Sequence, residues 1–409
     1  MQRPALTQEA RESHRYVVFC FLLLIVALQI AAGPIVRLPD WHVSPDQPAL
    51  LEARAWLDGR TDVGRRSWDT ALHEGRYFNI YPPCFTLISV VALSLGQLAG
   101  APPDTFYPFW YLLVAALPLP LVGFWAFQQV MRRAAWSAVF TAGWLLATPM
   151  LPMIRDCRDG SINSLNHVLS NIGLMLMAGD LLGRRRLWPA AIGLIIAAWS
   201  RQLTLAYGVA AVWIAWRAGV PRGRRTAIAV GALLMAAGGL MTLNWMRFGD
   251  PLETGYLKIY SEGRERGWYG QRAHEHGVFS PHFVAENAWY MNFSPPLFRL
   301  SPAFVQAANH SNGVGIWMTC PLLLLAFWHV RRWWTDSAAR PMMLASAAVI
   351  AALLTYHNTG AVQVGFFRFA LDFVPIWLMV IAPHALGPRG AYVTMGCLAW
   401  SAWYFYMIC

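Results

Sequence analysis

Lysine is almost absent. Lys258 is the only one among 32 basic residues, so a formal charge of +11 rests on arginine. Charge of either sign is scarce: Asp, Glu, Lys and Arg make up 13% of the chain, against about 25% in soluble domains. A soluble protein of 409 residues could bury a large core, but it would still need a charged surface. A phosphate-cradling Walker loop is missing and no GxGxxG string follows a strand, so a nucleotide site has no signature here. Neither an internal repeat nor a low-complexity tract is present, and the missing repeat weighs against transporters, many of which carry one. The six cysteines form no CxxC pair. Cys20, Cys320 and Cys397 lie in apolar runs, where cysteine acts as a small hydrophobe, and no disulfide is expected between Cys84 and Cys157. His274, His276 and His282 lack the carboxylate or cysteine that would complete a zinc spacing.

What the chain has instead is apolar sequence. Hydrophobic residues are 57% of it, and the charges are bunched between long apolar runs. Residues 16–36 are 21 positions without a charge, close to the roughly 20 that span a bilayer. The run exceeds the roughly 7–15 apolar residues of a signal-peptide core, so it is read as a retained first span. Arginines cluster at Arg132 and Arg133, at Arg184, Arg185 and Arg186, at Arg222, Arg224 and Arg225, and at Arg331 and Arg332, each time in a short gap between apolar runs. The positive-inside rule puts those gaps in the cytoplasm, which accounts for the basic charge without nucleic acid.

The N-terminus, marked by Arg3, Arg11 and Arg15, is placed on the same side. All clusters then stay inside only if the apolar run 83–99 lies in or dips into the outer interface instead of crossing. The sequence predicts an all-α polytopic membrane protein, one domain over residues 1–409. About eleven transmembrane helices are expected, near 16–36, 107–130, 135–153, 162–182, 187–200, 203–217, 226–245, 313–330, 341–356, 369–385 and 390–408. Two large external loops, 37–105 and 246–312, are expected to bear short amphipathic helices.

The external loops hold most of the residues able to do chemistry. Asp46 stands just before a helical pattern in which Leu50, Ala53 and Leu57 share a face, Pro48 suits the first turn and Gly59 the stop. It is either a helix cap or a carboxylate held at the membrane surface. The helix dipole favours its ionised form, which could take a proton from an incoming hydroxyl. In Arg155-Asp156-Cys157-Arg158-Asp159-Gly160, Asp156 and Asp159 are either solvated loop acids or oxygen ligands for a divalent cation, Mg or Mn. Arg201 interrupts an apolar stretch, where an arginine is costly and a functional candidate. Its guanidinium suits phosphate oxygens; the alternative is snorkelling to the interface. An enzyme outside the membrane has no nucleoside triphosphate to draw on, so its donor must come embedded in the lipid.

Taken in order, these strings resemble the GT-C superfamily of membrane glycosyltransferases, which includes protein O-mannosyltransferases and lipid A aminoarabinose transferases. Asp46 followed by a small helix ending in Leu57-Asp58-Gly59 is similar to that superfamily's first external loop, with Gln47 where a second acid often stands. Gly75-Arg76-Tyr77-Phe78-Asn79-Ile80-Tyr81-Pro82-Pro83 resembles the Tyr-x-x-x-x-Pro-Pro end of the same loop. The segment at Arg155 resembles an Arg-x-Asp element. Trp199-Ser200-Arg201-Gln202 is similar to a basic residue following the helix that here carries Gly193. Arg247-Phe248-Gly249-Asp250-Pro251-Leu252-Glu253-Thr254-Gly255-Tyr256 looks like a string in bacterial members, and Gly365-Phe366-Phe367-Arg368-Phe369 like a Gly-x-Arg-Tyr segment, with Phe369 for tyrosine.

The likeness is scattered over about residues 40–370. It implies an inverting glycosyltransferase that moves a sugar from a polyprenyl-phosphate donor to a lipid, glycan or protein acceptor outside a membrane, expected to be the bacterial inner membrane. By the resemblance Asp46 is the catalytic base and Arg201 and Arg368 bind the donor phosphate. Tyr77, Tyr81, Pro82, Pro83, Tyr256 and His357 are taken as substrate and loop residues. A multi-pass lipid or sugar transporter, or an inactive membrane scaffold, are the alternatives.

Overall fold

The structure is a computed structural model that describes residues 15–16, 18–19, 22, 47–100, 118–157, 162–217, 222–259, 268–300, 305–308, 313–360, 367–385 and 387–408. Most of the expected first span 16–36, together with Asp46 and Asp159, lies outside the described residues. The fold is mostly helical, but not all-α: two antiparallel hairpins stand in the loops, Thr70–His73 (β1) with Arg76–Asn79 (β2) and Leu297–Leu300 (β3) with Val305–Ala308 (β4). The first turns at Glu74 and Gly75, both at positive φ, as tight hairpins of right-twisted strands require.

Helix α1, Pro48–Leu57, begins with proline in its first turn and stops short of Gly59, whose φ is +72°. It was expected to be an amphipathic surface helix. Instead Pro48, Ala49, Leu50, Leu51, Glu52, Ala53 and Ala55 are all buried. The reason is Glu52, whose carboxylate is filled from four sides. Arg247 donates Nε at 2.8 Å and Nη2 at 2.5 Å to Oε1, while Asn79 at 2.8 Å and Thr86 at 2.7 Å donate to Oε2. Arg247 also donates to the Tyr81 carbonyl at 2.9 Å. One acid thereby ties α1, the hairpin, the start of α2 (Cys84–Leu98) and the end of a helix 195 positions away.

The bundle continues with α3 (Pro118–Met131), α4 (Ala134–Leu146) and α5 (Met150–Asp156), then α6 (Ile162–Leu182), α7 (Trp188–Ser200), α8 (Ala206–Arg217) and α9 (Arg222–Phe248). In the second loop lie α10 (Trp268–His276) and α11 (Val284–Asn292), followed by α12 (Ala339–Leu354), α13 (Val374–Ile381) and α14 (Pro388–Ile408). Helix α6 packs against α3, α7 and α13. It meets α7 at facing glycines: a Cβ on Gly173 would stand 2.5 Å from the Gly193 carbonyl oxygen, the close backbone approach that small residues permit between membrane helices. The turn between them is fastened by Asp180, which accepts from the backbone N–H of Arg186 at 2.9 Å and of Leu187 at 2.7 Å.

Two described helices are long and apolar enough to cross a membrane, Ser164–Leu182 and Gly223–Phe248. The pair α4 and α5, bent by 57°, makes a third if it counts as one span. The expected number of about eleven is not established by length and apolarity. Helices α7 and α12 are shorter apolar helices; thirteen residues of α7 rise about 20 Å against a hydrocarbon core of about 30 Å. The span expected over 313–330 is instead broken into Ile316–Thr319, Pro321–Leu324 and Leu325–Trp328. Pro321 follows Cys320, whose backbone at φ −131°, ψ 65° has already left the helix, as a residue before proline is driven to do.

Replacing Arg247 by Met leaves the Glu52 carboxylate buried without its cation, which typically costs about 3–5 kcal/mol. Thermal unfolding in detergent is expected to show a large drop for Arg247→Met. The double variant Glu52→Gln with Arg247→Met, which removes the stranded charge, is expected to recover most of it. A loss below about 1 kcal/mol, the scale of an exposed pair, would show that the pair does not hold α1 in place.

Candidate functional site

The 3-10 turn Arg368–Asp372 that leads into α13 is the centre of the site. Asp372 is fully buried and accepts a fork from Arg201, Nε to Oδ1 at 3.1 Å and Nη2 to Oδ2 at 2.8 Å. His167 Nδ1 lies 3.8 Å from Oδ1. The turn is pinned from two further sides: the Tyr207 hydroxyl donates to the Asp372 carbonyl at 2.9 Å, and the Asn171 amide to the Leu371 carbonyl at 3.1 Å. Arg201 itself sits where α7 ends, in extended backbone at φ −143°, ψ 104°, one 3-10 turn (Gln202–Leu205) before α8.

Phe369, buried in the same turn, is shared by both candidate arginines. The Arg201 guanidinium carbon lies 4.9 Å from the ring centroid and that of Arg368 5.3 Å, within cation–π range. The rings of His167 and Tyr356 stand 5.9 and 5.8 Å away. Gly360, at φ +76°, lets the backbone lie against this ring, since a Cβ there would come within 2.5 Å of Phe369 Cδ2.

Loop residues close the site. The Tyr81 hydroxyl donates to Asp69 Oδ2 at 2.6 Å. Burial, and then the Asp69 charge, push its pKa well above the usual tyrosine range, so it remains a donor. Tyr256 follows Gly255, whose φ of +78° and whose contact with Phe248 leave no room for a Cβ. Tyr81, Pro82 and Tyr256 line a cavity of about 30 Å³ with Arg201. A second cavity of about 90 Å³ shares Arg201 and Tyr256 and extends to Leu203 and Leu353.

Other candidates are elsewhere. Tyr77 is half-buried on β2, and its carbonyl accepts from the Val63 N–H at 2.8 Å. Pro83 precedes α2 and lines a separate groove with Trp56 and Trp199. His357 is buried; its N–H donates to the Val278 carbonyl at 2.9 Å and its ring stands 4.4 Å from that of Tyr356. This joins the 355–357 segment to the second loop, where Asn287 donates to the carbonyls of Leu353, Leu354 and Tyr356. Asp156 pairs with its neighbour Arg155 at 2.9 Å. Among the described residues no three His, Cys, Asp or Glu gather to hold a metal ion.

Sequence reasoning missed Asp372, Glu52 and Asn166. The first was open to detection, because an acid inside an expected span is a functional candidate for the same reason as Arg201. Asn166 carried no signal beyond being a polar residue in an expected span.

The buried His357 imidazole is held down to about 4 by desolvation, with the Arg272 charge adding and the Val278 carbonyl opposing. In the unfolded chain it would titrate near 6.5. Between those values the unfolded state binds the extra proton, so the contribution of His357 is complete above about pH 6.5 and is lost as the pH falls towards 4, on the order of 3 kcal/mol in all. Melting curves from pH 7 to 4 are expected to fall more steeply for the native protein than for His357→Gln. Parallel curves would contradict this.

Comparison with protein-family models, with curated proteins and with solved structures finds no match for the chain.

Proposed function

We propose that the chain is a polytopic membrane glycosyltransferase that moves a sugar from a polyprenyl-phosphate donor to an acceptor outside the membrane. The observation that carries this reading is two arginines on one buried ring, one of them lining a cavity between the elements that also border an apolar groove. The groove, of about 670 Å³, runs between α8 and α12 and is lined by Val209, Ala210 and Trp213 on one side and Leu344, Ala345 and Ala348 on the other. The cavity at Arg201 reaches Leu353 on α12 and Leu203 in the 3-10 turn that leads into α8, so an isoprenoid tail along the groove would carry its phosphate towards Arg201, with Arg368 at the same Phe369 ring. Asp372 occupies the Nε and Nη2 positions of Arg201, and the fork holds the guanidinium rigid.

The location is supported by charge. Gln129 of α3 meets Gly183 at the end of α6, α7 starts just after Arg186, and α8 and α9 meet at Arg217 and Arg222. Trp213 and Arg340 line the far end of the groove. The arginine clusters thus collect at the end of the bundle opposite Arg201. With that end in the cytoplasm, the site faces the external side, in the reading of a bacterial inner membrane.

In the reaction, the acceptor hydroxyl oxygen attacks the anomeric carbon and its proton passes to Asp46. The bond from that carbon to the phosphate oxygen breaks, with its electron pair leaving on polyprenyl phosphate. A single displacement inverts the anomeric centre. Arg201 and Arg368 face the charge that develops on the leaving phosphate, the kind of fixed donor that contributes most in a partly dry site. Asp156 turns to Arg155, and no step is routed through a cation.

The test is transfer by purified protein in nanodiscs supplied with a panel of polyprenyl-phosphate sugars. Arg201→Gln is expected to lower turnover about 100–1,000-fold. Asp46→Asn is expected to fold normally, since it keeps the side chain's size and the cap position of α1 is Gln47, and to lose most turnover. Near-normal transfer by a stable Asp46→Asn protein defeats the assignment of the base. Movement of the lipid between leaflets without transfer favours a transporter instead.

A further inference from the structure

Asn166 lies near the start of α6 and is 2% exposed. Among the described residues neither its Oδ1 nor its Nδ2 has a hydrogen-bond partner, a condition that folded proteins avoid for buried amides. On the same helix Asn171 donates to two carbonyls and accepts from Trp144, whereas His167 Nδ1 and Ser170 Oγ also find no hydrogen-bond partner among the described residues. Asn166 differs in that it opens on a space. It lines the cavity of about 30 Å³ together with Ser200, Arg201, Gln202, Tyr81, Pro82 and Tyr256.

The size and polarity of that space limit what can enter. A water needs about 10–15 Å³, so the narrow part of the cavity matches a hydroxyl or hydroxymethyl group of a larger ligand. An amide offers a donor and an acceptor together. A phosphate oxygen can only accept and would leave Oδ1 unmet; a hydroxyl can do both. The anion belongs to Arg201, on the cavity wall next to Asn166.

We propose that Asn166 is a specificity-determining residue that takes one hydroxyl of the donor's sugar while the adjoining phosphate sits at Arg201. The inference rests on the donor class proposed above and names how that donor is read. It has a consequence for turnover. Once the sugar is transferred, the hydroxyl leaves with it and the amide is again unmet, so the spent polyprenyl phosphate is held less well than the loaded carrier and is released.

The experiment measures binding of two probes to full-length protein in nanodiscs: polyprenyl phosphate and the same lipid carrying an unsubstituted hexose. The native protein is expected to bind the hexose-bearing lipid at least about tenfold more tightly, the scale of one well-made hydrogen bond to a buried group. Asn166→Leu is expected to abolish that preference while leaving affinity for polyprenyl phosphate unchanged. Its ligand-free melting temperature is expected to equal or exceed that of the native protein, because an unmet amide has been removed. Asn166→Ala, should the leucine not be accommodated, is expected to abolish the preference in the same way. A variant that keeps the preference, or weakens both probes equally, overturns the assignment. A marked loss of ligand-free stability in Asn166→Leu also overturns it, since it shows the amide to be structurally engaged. If the native protein binds neither probe, the donor reading itself fails; if it binds both and only the Asn166 outcome differs, that reading stands and this one falls.

Discussion

A single buried carboxylate, Asp372, fixes the geometry of the site end of the bundle. An arginine interrupting apolar helices is unfavourable unless its charge is met, and the fork from Arg201 to Asp372 meets it with two bonds at once. The same residue joins the break between α7 and α8 to the turn that carries Arg368 and Phe369. Because that turn is also held by Tyr207 and Asn171, Arg201 is rigid before any ligand arrives. Rigidity matters for an electrostatic site, which gains most when its donors need no rearrangement during reaction.

A second buried pair organises the loops. Glu52 and Arg247 bring α1, the β1–β2 hairpin and the end of α9 together, and the same Arg247 holds the Tyr81 carbonyl. Tyr81 is thereby placed at the edge of the cavity, where its hydroxyl turns to Asp69. The apolar helices need no such device. Gly173 against Gly193 and Gly239 against the Trp199 ring let backbones and flat side chains close without charge, and at the second contact the Trp199 indole N–H donates to the Ala236 carbonyl at 3.1 Å. Charge is thus spent where the chain is irregular and small residues are used where it is regular.

That division explains what could be read from sequence. Apolar runs bounded by arginine, proline or glycine gave helices close to those expected at 162–182, 187–200, 226–245, 341–356 and 390–408, because no proline interrupts them beyond the first turn, whereas the run 313–330 is broken at Pro321. The hairpin at 70–79 was not foreseen, since four-residue strands leave almost no pattern. The burial of α1 was not foreseen either, because Glu52 looks like a surface acid until its partner 195 positions away is known. Arg201 and Arg368 were legible as candidates through the cost of placing arginine among apolar residues. Their meeting on Phe369 was not, for it depends on Asp372, 171 positions from Arg201. Asn166 became visible only through the space in front of it.

The central claim is that a lipid phosphate sits at the paired arginines with its tail along the α8–α12 groove. The most direct measurement is a structure of the protein in nanodiscs loaded with polyprenyl phosphate. The account predicts the phosphate between Arg201 and Arg368 at the ring of Phe369, with the isoprenoid passing Leu203 and Leu353 towards Val209 and Ala345. A phosphate bound at the arginine-rich opposite end, or a tail outside that groove, would contradict it.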